Sequence, residues 1–213
     1  MSSPPSRDCS EAMLKRVLDV TVALAGLALL SPLLIVIAVA VRLDSPGPVL
    51  FRQQRVGLHG KPFCILKFRS MRWQPVTDTP AAPALTVAGD ARVTRIGRWL
   101  RASKLDELPQ LINVLRGEMS LVGPRPEVPR YVAHYPPDVR ERVLSVRPGI
   151  TDEASILFRN EGEILSRAAD PEHAYLTEVL PRKLAIYDSY ARSHGFVGDL
   201  RILARTLLRV IGG

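Results

Sequence analysis

The sequence predicts a mainly α chain with a small β element, an α+β fold hung on an N-terminal membrane-embedded helix. Three observations predict it. Residues 17–41 hold one charge, Asp19, in 25 positions. Two short strand-like runs follow, around a glycine turn. Most of the remainder shows helical periodicity broken by prolines, of which the 213 residues contain 18. A composition of 46% hydrophobic and 23% charged residues excludes a disordered or collagen-like chain. The two cysteines, Cys9 and Cys64, lie in unrelated contexts, which excludes a disulfide framework and a cysteine-based zinc site and fits a reducing compartment. With 29 Lys and Arg against 21 Asp and Glu, the net charge is +8, and that surplus asks for an anionic partner: nucleic acid, an acidic membrane surface or a phosphate-bearing substrate.

Residues 1–14 are polar and Pro/Ser-containing, and read as a mobile tail. Residues 15–44 form the membrane segment. Its apolar run would be about 37 Å long as a helix, against roughly 30 Å of bilayer hydrocarbon. Lys15 and Arg16 resemble the start of a signal peptide, but the apolar run is too long and ends in the turn Ser45-Pro46-Gly47-Pro48, not a cleavage site. Asp19 lies three and four residues after Arg16 and Lys15, so the three charges are expected to pair on one helical face. Near the middle, Pro32 removes a helical hydrogen bond and the preceding Ser31 hydroxyl is the nearest donor to a freed carbonyl. Both flanks are basic, which a straight spanning helix cannot reconcile with the positive-inside rule. A helix broken at Ser31-Pro32 that enters and leaves one leaflet is one solution; a bitopic anchor with a tolerated kink is the other.

Residues 45–213 read as one domain. Residues 49–56 and 63–69 are two short strands around Gly57 and Gly60, and residues 74–90, rich in Pro, Thr and Ala, are a surface loop. Helix is expected from about Arg92. Arg92, Arg95, Arg98 and Arg101 recur every three residues there, and Arg201, Arg205 and Arg209 every four near the C-terminus. Basic amphipathic helices of this kind suit an acidic membrane interface, although a solvated face over a core gives the same pattern.

The segment 103–117 carries the strongest chemical signal. Leu108, Leu111, Ile112 and Leu115 have helical spacing, Gly117 supplies a stop, and Pro109 belongs in a first turn, so a helix should start near Asp106. Asp106 and Glu107 would then sit at the positive end of a helix dipole, which favours their ionised forms. An ionised carboxylate beside Arg101 could attack phosphorus or hold magnesium; a simple helix cap is the bland alternative. Pro124 and Pro126 fix Arg125 in an extended backbone suited to gripping a phosphate, or to forming a plain turn. Arg147, before Pro148, and Arg159, before Asn160, are two further candidates. There is no P-loop, dinucleotide fingerprint or metal-spaced histidine pair among His59, His134, His173 and His194.

Taken together, Lys15-Arg16…Asp19, Ser31-Pro32, Arg55-Val56-Gly57, Lys67-Phe68-Arg69-Ser70-Met71, Arg95-Ile96-Gly97, Leu105-Asp106-Glu107-Leu108-Pro109-Gln110 and Ser120-Leu121-Val122-Gly123-Pro124-Arg125-Pro126 resemble the bacterial sugar transferases known as monotopic phosphoglycosyl transferases, or polyprenyl-phosphate hexose-1-phosphate transferases. The resemblance runs from about Lys15 to Thr206. It implies a UDP-sugar donor, a polyprenyl phosphate (undecaprenyl phosphate) acceptor and Mg2+. Asp106 would be the nucleophile of a ping-pong route, forming a covalent phosphosugar intermediate with release of UMP, and Glu107 would bind the metal. Arg101, Arg125, Lys67, Arg69, Arg147 and Arg159 become candidate contacts to substrate phosphates and nucleotide.

The resemblance also implies a re-entrant anchor broken at Ser31-Pro32, interfacial amphipathic helices around a compact catalytic domain, contact with membrane lipids, and residence on the cytoplasmic face of the bacterial inner membrane. The reaction would be the first membrane step of a surface glycan or exopolysaccharide pathway. No helix-turn-helix or RNA-binding signature is present, so no nucleic acid partner is expected. A homodimer is left open. In one respect the chain departs from the pattern. Many members follow Pro-Gly-Ile-Thr with Gly-aromatic-Ala-Gln-Val-Asn-Gly, where this sequence has Asp152-Glu153-Ala154-Ser155-Ile156-Leu157-Phe158.

Overall fold

The computed structural model describes residues 9–73, 85–87, 89–158 and 161–211. It is mainly helical with two small sheets. Helix α1 spans Cys9–Asp44, so it begins within the segment expected to be a tail; residues 1–8 lie outside the described residues. The expected break is not a break in the helix: α1 runs as one element of 36 residues through Pro32. The proline leaves the Ala28 carbonyl without its backbone donor, and Ser31 Oγ donates to that carbonyl at 2.8 Å.

Antiparallel strands β1 (Leu50–Val56) and β2 (Pro62–Phe68) pair from Leu50 opposite Phe68 to Val56 opposite Pro62, as the two strand-like runs predict. Helix α2 covers Arg95–Ala102 and starts three residues later than expected, because Thr94 caps it by accepting from the Gly97 amide at 3.0 Å. Arg92 stays outside the helix and pairs with Asp90 at 2.6 Å. A Cβ on Gly97 would run into the Ser70 backbone, so this glycine lets α2 lie directly on the chain leaving β2. Of the expected loop, residues 74–84 and 88 lie outside the described residues.

Helix α3 (Gln110–Leu115) ends at the left-handed Gly117. Beyond it the sequence conceals a second sheet: β3 (Ser120–Val122) and β4 (Gly149–Thr151) pair in parallel, three residues each. Helices α4 (Pro129–Val132) and α5 (Pro137–Leu144) lie between those strands. After β4 come α6 (Glu153–Leu157), α7 (Glu161–Ser166), α8 (Pro171–Ala174), a π-turn over Tyr175–Val179, α9 (Leu180–Ser193) and α10 (Phe196–Ile211).

Three apolar clusters hold these elements together. Tyr131, Val132, Tyr175, Leu180 and Tyr187 centre one of them, among α4, α5 and α9. Ala23 and Leu27 from the first half of α1 join Leu111, Val114, Ile65, Met119 and Ile202 in a second. Leu33, Ile37 and Val41 from its second half join Phe68 and Leu100 in a third. Both halves of α1 therefore dock on the same body, while Leu29, Ile35, Val36, Val39 and Leu43 point away exposed.

The charged start of α1 corrects an expectation. Lys15, Arg16 and Asp19 are bonded to three different elements of the domain. Lys15 Nζ pairs with Asp199 on α10, Arg16 donates to the Val114 and Leu115 carbonyls at 2.8 and 3.2 Å, and Asp19 Oδ1 accepts from Ser120 Oγ and the Leu121 amide. The physical reason is burial: Asp19 is 3% exposed, and a carboxylate there needs fixed donors from the domain. The other end of α1 is tied by Arg69, which donates to the carbonyls of Val41, Ser45 and Pro46 and to Ser45 Oγ.

Candidate active site

Asp106 and Glu107 lie in a single 3-10 turn, Leu105–Glu107, not at the start of an α-helix. The helix expected to begin near Asp106 begins at Gln110, with Pro109 as its N-cap. The cause is Lys104, whose left-handed backbone (φ 60) turns the chain sharply and lets its carbonyl accept from the Glu107 amide at 3.2 Å. Strained residues of this kind collect at functional sites.

Burial then decides the electrostatics of the pair. The Asp106 carboxyl is 7% exposed, and its Oδ1 has no hydrogen-bond partner among the described residues. Burial raises its pKa above the usual carboxylate value and the neighbouring Glu107 charge adds to this; Lys67, Arg101 and Lys104 oppose. The expectation that a helix dipole favours ionised Asp106 is thus reversed. Glu107 goes the other way. Burial pushes it up, but Arg125 and Lys67 outweigh burial and hold it well below the ordinary glutamate value. Lys67 Nζ donates to Glu107 Oε1 at 2.9 Å, and Arg125 grips both carboxylate oxygens as a fork, 3.2 Å from Nη1 to Oε2.

These groups line a cavity of about 690 Å³. The expected site residues Lys67, Arg101, Asp106, Glu107 and Arg125 all reach it. Arg101 is steadied by Nε donating to Ser70 Oγ at 2.8 Å. Two expected phosphate contacts do not reach it. Arg69 is buried at the C-terminal end of α1, where four oxygens occupy its guanidinium, and Arg147 is exposed and donates to the Gly117 carbonyl at 3.2 Å. Arg159 lies outside the described residues.

Sequence reasoning missed several lining residues. Arg55 and Glu127 lay inside or beside quoted motifs without a role; here Arg55 Nη1 donates to the Pro126 carbonyl and stands 3.6 Å from Glu127. Tyr175 donates to Glu127 Oε1 at 2.6 Å, and Lys183 Nζ donates to Glu161 at 3.0 Å. Tyr175 and Lys183 arrive from helices far along the chain, with no local motif to announce them. The departing segment 152–158 also reaches the cavity: Asp152 Oδ1 accepts from the Ser155 amide at 2.8 Å to start α6, and Ser155, Ile156 and Phe158 form part of the wall. Lining cations (Arg55, Lys67, Arg101, Lys104, Arg125, Lys183) outnumber the acids Asp106, Glu107, Glu127 and Glu161, so the cavity suits an anion.

The donor chemistry fits a magnesium ion held by a carboxylate and completed by substrate phosphates and water. Among the described residues, Glu107 Oε2 accepts from Arg125 alone and the neighbouring Asp106 Oδ1 has no hydrogen-bond partner. Among the described residues, no cluster of three His, Cys, Asp or Glu groups forms a cage able to hold a metal by protein ligands alone.

A profile of the bacterial sugar transferase family matches residues 10–213. The chain is 43% identical over 195 residues to a UDP-glucose:undecaprenyl-phosphate glucose-1-phosphate transferase of Caulobacter vibrioides, covering 91% of this chain and 68% of that protein. It is 42% identical to an undecaprenyl-phosphate glucose phosphotransferase of Komagataeibacter xylinus over 92% of its own length and 36% of the relative's. It is 41% identical to a UDP-N-acetylgalactosamine-undecaprenyl-phosphate N-acetylgalactosaminephosphotransferase of Aeromonas hydrophila, over 68% of its length and 34% of the relative's. The chain thus spans about two thirds of the first of these proteins and about a third of the other two.

Proposed function

The chain belongs to the bacterial sugar transferase family, and from that premise we propose that it transfers a hexose 1-phosphate from a UDP-sugar to undecaprenyl phosphate. The observation that carries this reading is the pair of adjacent carboxylates, buried Asp106 and half-buried Glu107, inside a cavity with a surplus of cations. Phosphoryl transfer asks for charge neutralisation and alignment more than for covalent ingenuity.

Arg125, Arg101 and Lys67 bind the donor diphosphate. An Asp106 carboxylate oxygen then attacks the sugar-bearing phosphorus; the bond to the bridging oxygen breaks and UMP leaves with that electron pair. A phosphate oxygen of the acceptor attacks the same phosphorus, the Asp106–phosphorus bond breaks, and the carboxylate is regenerated. Asp106 suits this part because one oxygen is unpartnered, while Glu107 is locked by Lys67 and Arg125 and serves as the fixed partner of a metal. Glu107 would hold a magnesium ion, which when bound would supply neutralisation of the diphosphate charge. Ser155, Ile156 and Phe158 line the same cavity and are the natural place for sugar selection.

Helix α1 acts as the membrane anchor, with both ends on the cytoplasmic side of the inner membrane. Its two halves dock on one body and its outward face is apolar, which supports burial in a single leaflet. The exposed Arg95, Arg98 and Trp99 of α2 and Leu207 and Leu208 of α10 suit the lipid interface. The test is UMP release by detergent-solubilised protein from UDP-glucose and UDP-N-acetylgalactosamine, with and without undecaprenyl phosphate and magnesium. Sustained release requiring both lipid and metal is expected; absence of release with every UDP-sugar overturns the reading.

A further inference from the structure

Asn113 is fully buried on α3, and its carboxamide makes three hydrogen bonds, all to groups outside that helix. Its Oδ1 accepts from the Leu66 amide at 3.0 Å, and its Nδ2 donates to the Cys64 carbonyl at 2.8 Å and to Glu118 Oε2 at 2.7 Å. Cys64 and Leu66 face Gln54 and Arg52 of β1 in register, so the carboxamide serves the edge of β2 that has no strand beside it. It bonds that edge as a neighbouring strand would, one acceptor and one donor two residues apart. Lys67 is the next residue of β2, and its Nζ reaches Glu107, in the turn that leads into the same α3.

Two elements therefore share one junction: β2 brings the cation, and the turn before α3 brings the carboxylate. We propose that Asn113 is a positioning residue, whose carboxamide clamps the β2 edge to α3 and thereby fixes Lys67 against Glu107. This rests on the reading of Glu107 and Lys67 as parts of a phosphoglycosyl transfer site. Asn113 touches neither substrate nor reacting atoms; it acts through Lys67. Deleting the clamp leaves two backbone groups of an edge strand unserved and frees the strand to drift, so the lysine no longer meets the carboxylate at hydrogen-bond distance.

The experiment is a double-mutant cycle on the full chain in detergent, with Asn113→Ala, Lys67→Met and both together, reading kcat and KM for UMP release and hydrogen exchange at the Leu66 amide. Asn113→Ala is expected to speed that exchange and to lower kcat by about 10- to 100-fold, the range for groups that orient a functional ligand. The double variant should fall within about twofold of Lys67→Met alone, because the clamp has nothing left to position. Multiplying losses, or an unchanged Leu66 amide, would overturn the proposal. If Asn113→Ala fails to fold, Asn113→Asp keeps the acceptor for Leu66 and removes both donors, and the same cycle applies. If the wild type releases no UMP from any UDP-sugar, the functional reading fails. The clamp is then judged by Leu66 exchange and by acylation of Lys67 with a water-soluble reagent, expected faster in Asn113→Ala and refuted by equal rates.

Discussion

Ser31 Oγ donates to the Ala28 carbonyl at 2.8 Å, taking the place of the backbone donor that Pro32 lacks. The proline thus stays inside α1 with its lost bond replaced one residue away. Ser31→Ala should lower thermal stability in detergent, by about 0.5–1.5 kcal/mol for one hydrogen bond. A melting temperature equal to wild type would show that the carbonyl is served otherwise.

The anchoring reading has its own test in a Ser10→Cys variant lacking Cys9 and Cys64, since Ser10 is exposed near the start of α1. A thiol reagent unable to cross membranes should leave that cysteine unlabelled in intact cells and label it once the inner membrane is permeabilised. Labelling in intact cells would place the start of α1 on the outer side and make it a spanning helix.

Asp106→Asn should abolish turnover and yet stabilise the fold. The raised pKa means that ionised Asp106 costs the folded state stability at neutral pH, and an amide avoids that cost. Each kcal/mol recovered corresponds to about 2–4 °C in Tm for a chain of this size. The difference should vanish as pH falls and the wild-type carboxyl takes up its proton. Residual turnover would remove Asp106 from the nucleophile role.

The pH profile separates the two acids. Attack needs ionised Asp106, so single-turnover UMP release without lipid should rise with pH through a midpoint above the ordinary aspartate value of 3.8. Glu107 is held well below 4.5, so it stays ionised across that limb; its stabilising contribution is present above about pH 4.5 and is lost only as pH falls through its depressed folded value. An acid limb below the usual carboxylate range would assign it to Glu107 instead.

Ser155→Gln restores the amide found at this point in much of the family. It should change the KM ratio between UDP-glucose and UDP-N-acetylgalactosamine while leaving kcat for the better donor near wild type. Equal ratios would place sugar selection elsewhere in the cavity.

The sequence made the β1–β2 hairpin legible through its alternation and glycine turn, and the dyad through a dense local motif. Arg69 and Arg147 show where such reading stops. An arginine beside a motif looks the same whether it meets phosphate or carbonyl oxygen, and only the path of α1 over the domain reveals that Arg69 meets carbonyls. Lys15, Arg16 and Asp19 misled for the same reason: local spacing favours their mutual pairing, while the folded domain offers each a partner 98 to 184 positions away in the chain. The three-residue strands β3 and β4 are too short to carry periodicity, and each pairs with chain 29 positions away, Ser120 opposite Gly149 and Val122 opposite Thr151.

A rod fastened to one body at two points works as a ruler. Asp19 seats one end of α1 at Ser120 and Leu121, and Arg69 seats the other at Val41 and Ser45. Inserting or deleting a single residue between those seats would turn one of them about 100° from its socket. Spacing along this helix is therefore fixed to the residue, whereas its exposed outward side chains, Leu29 and Ile35 among them, are free to interchange with other apolar side chains.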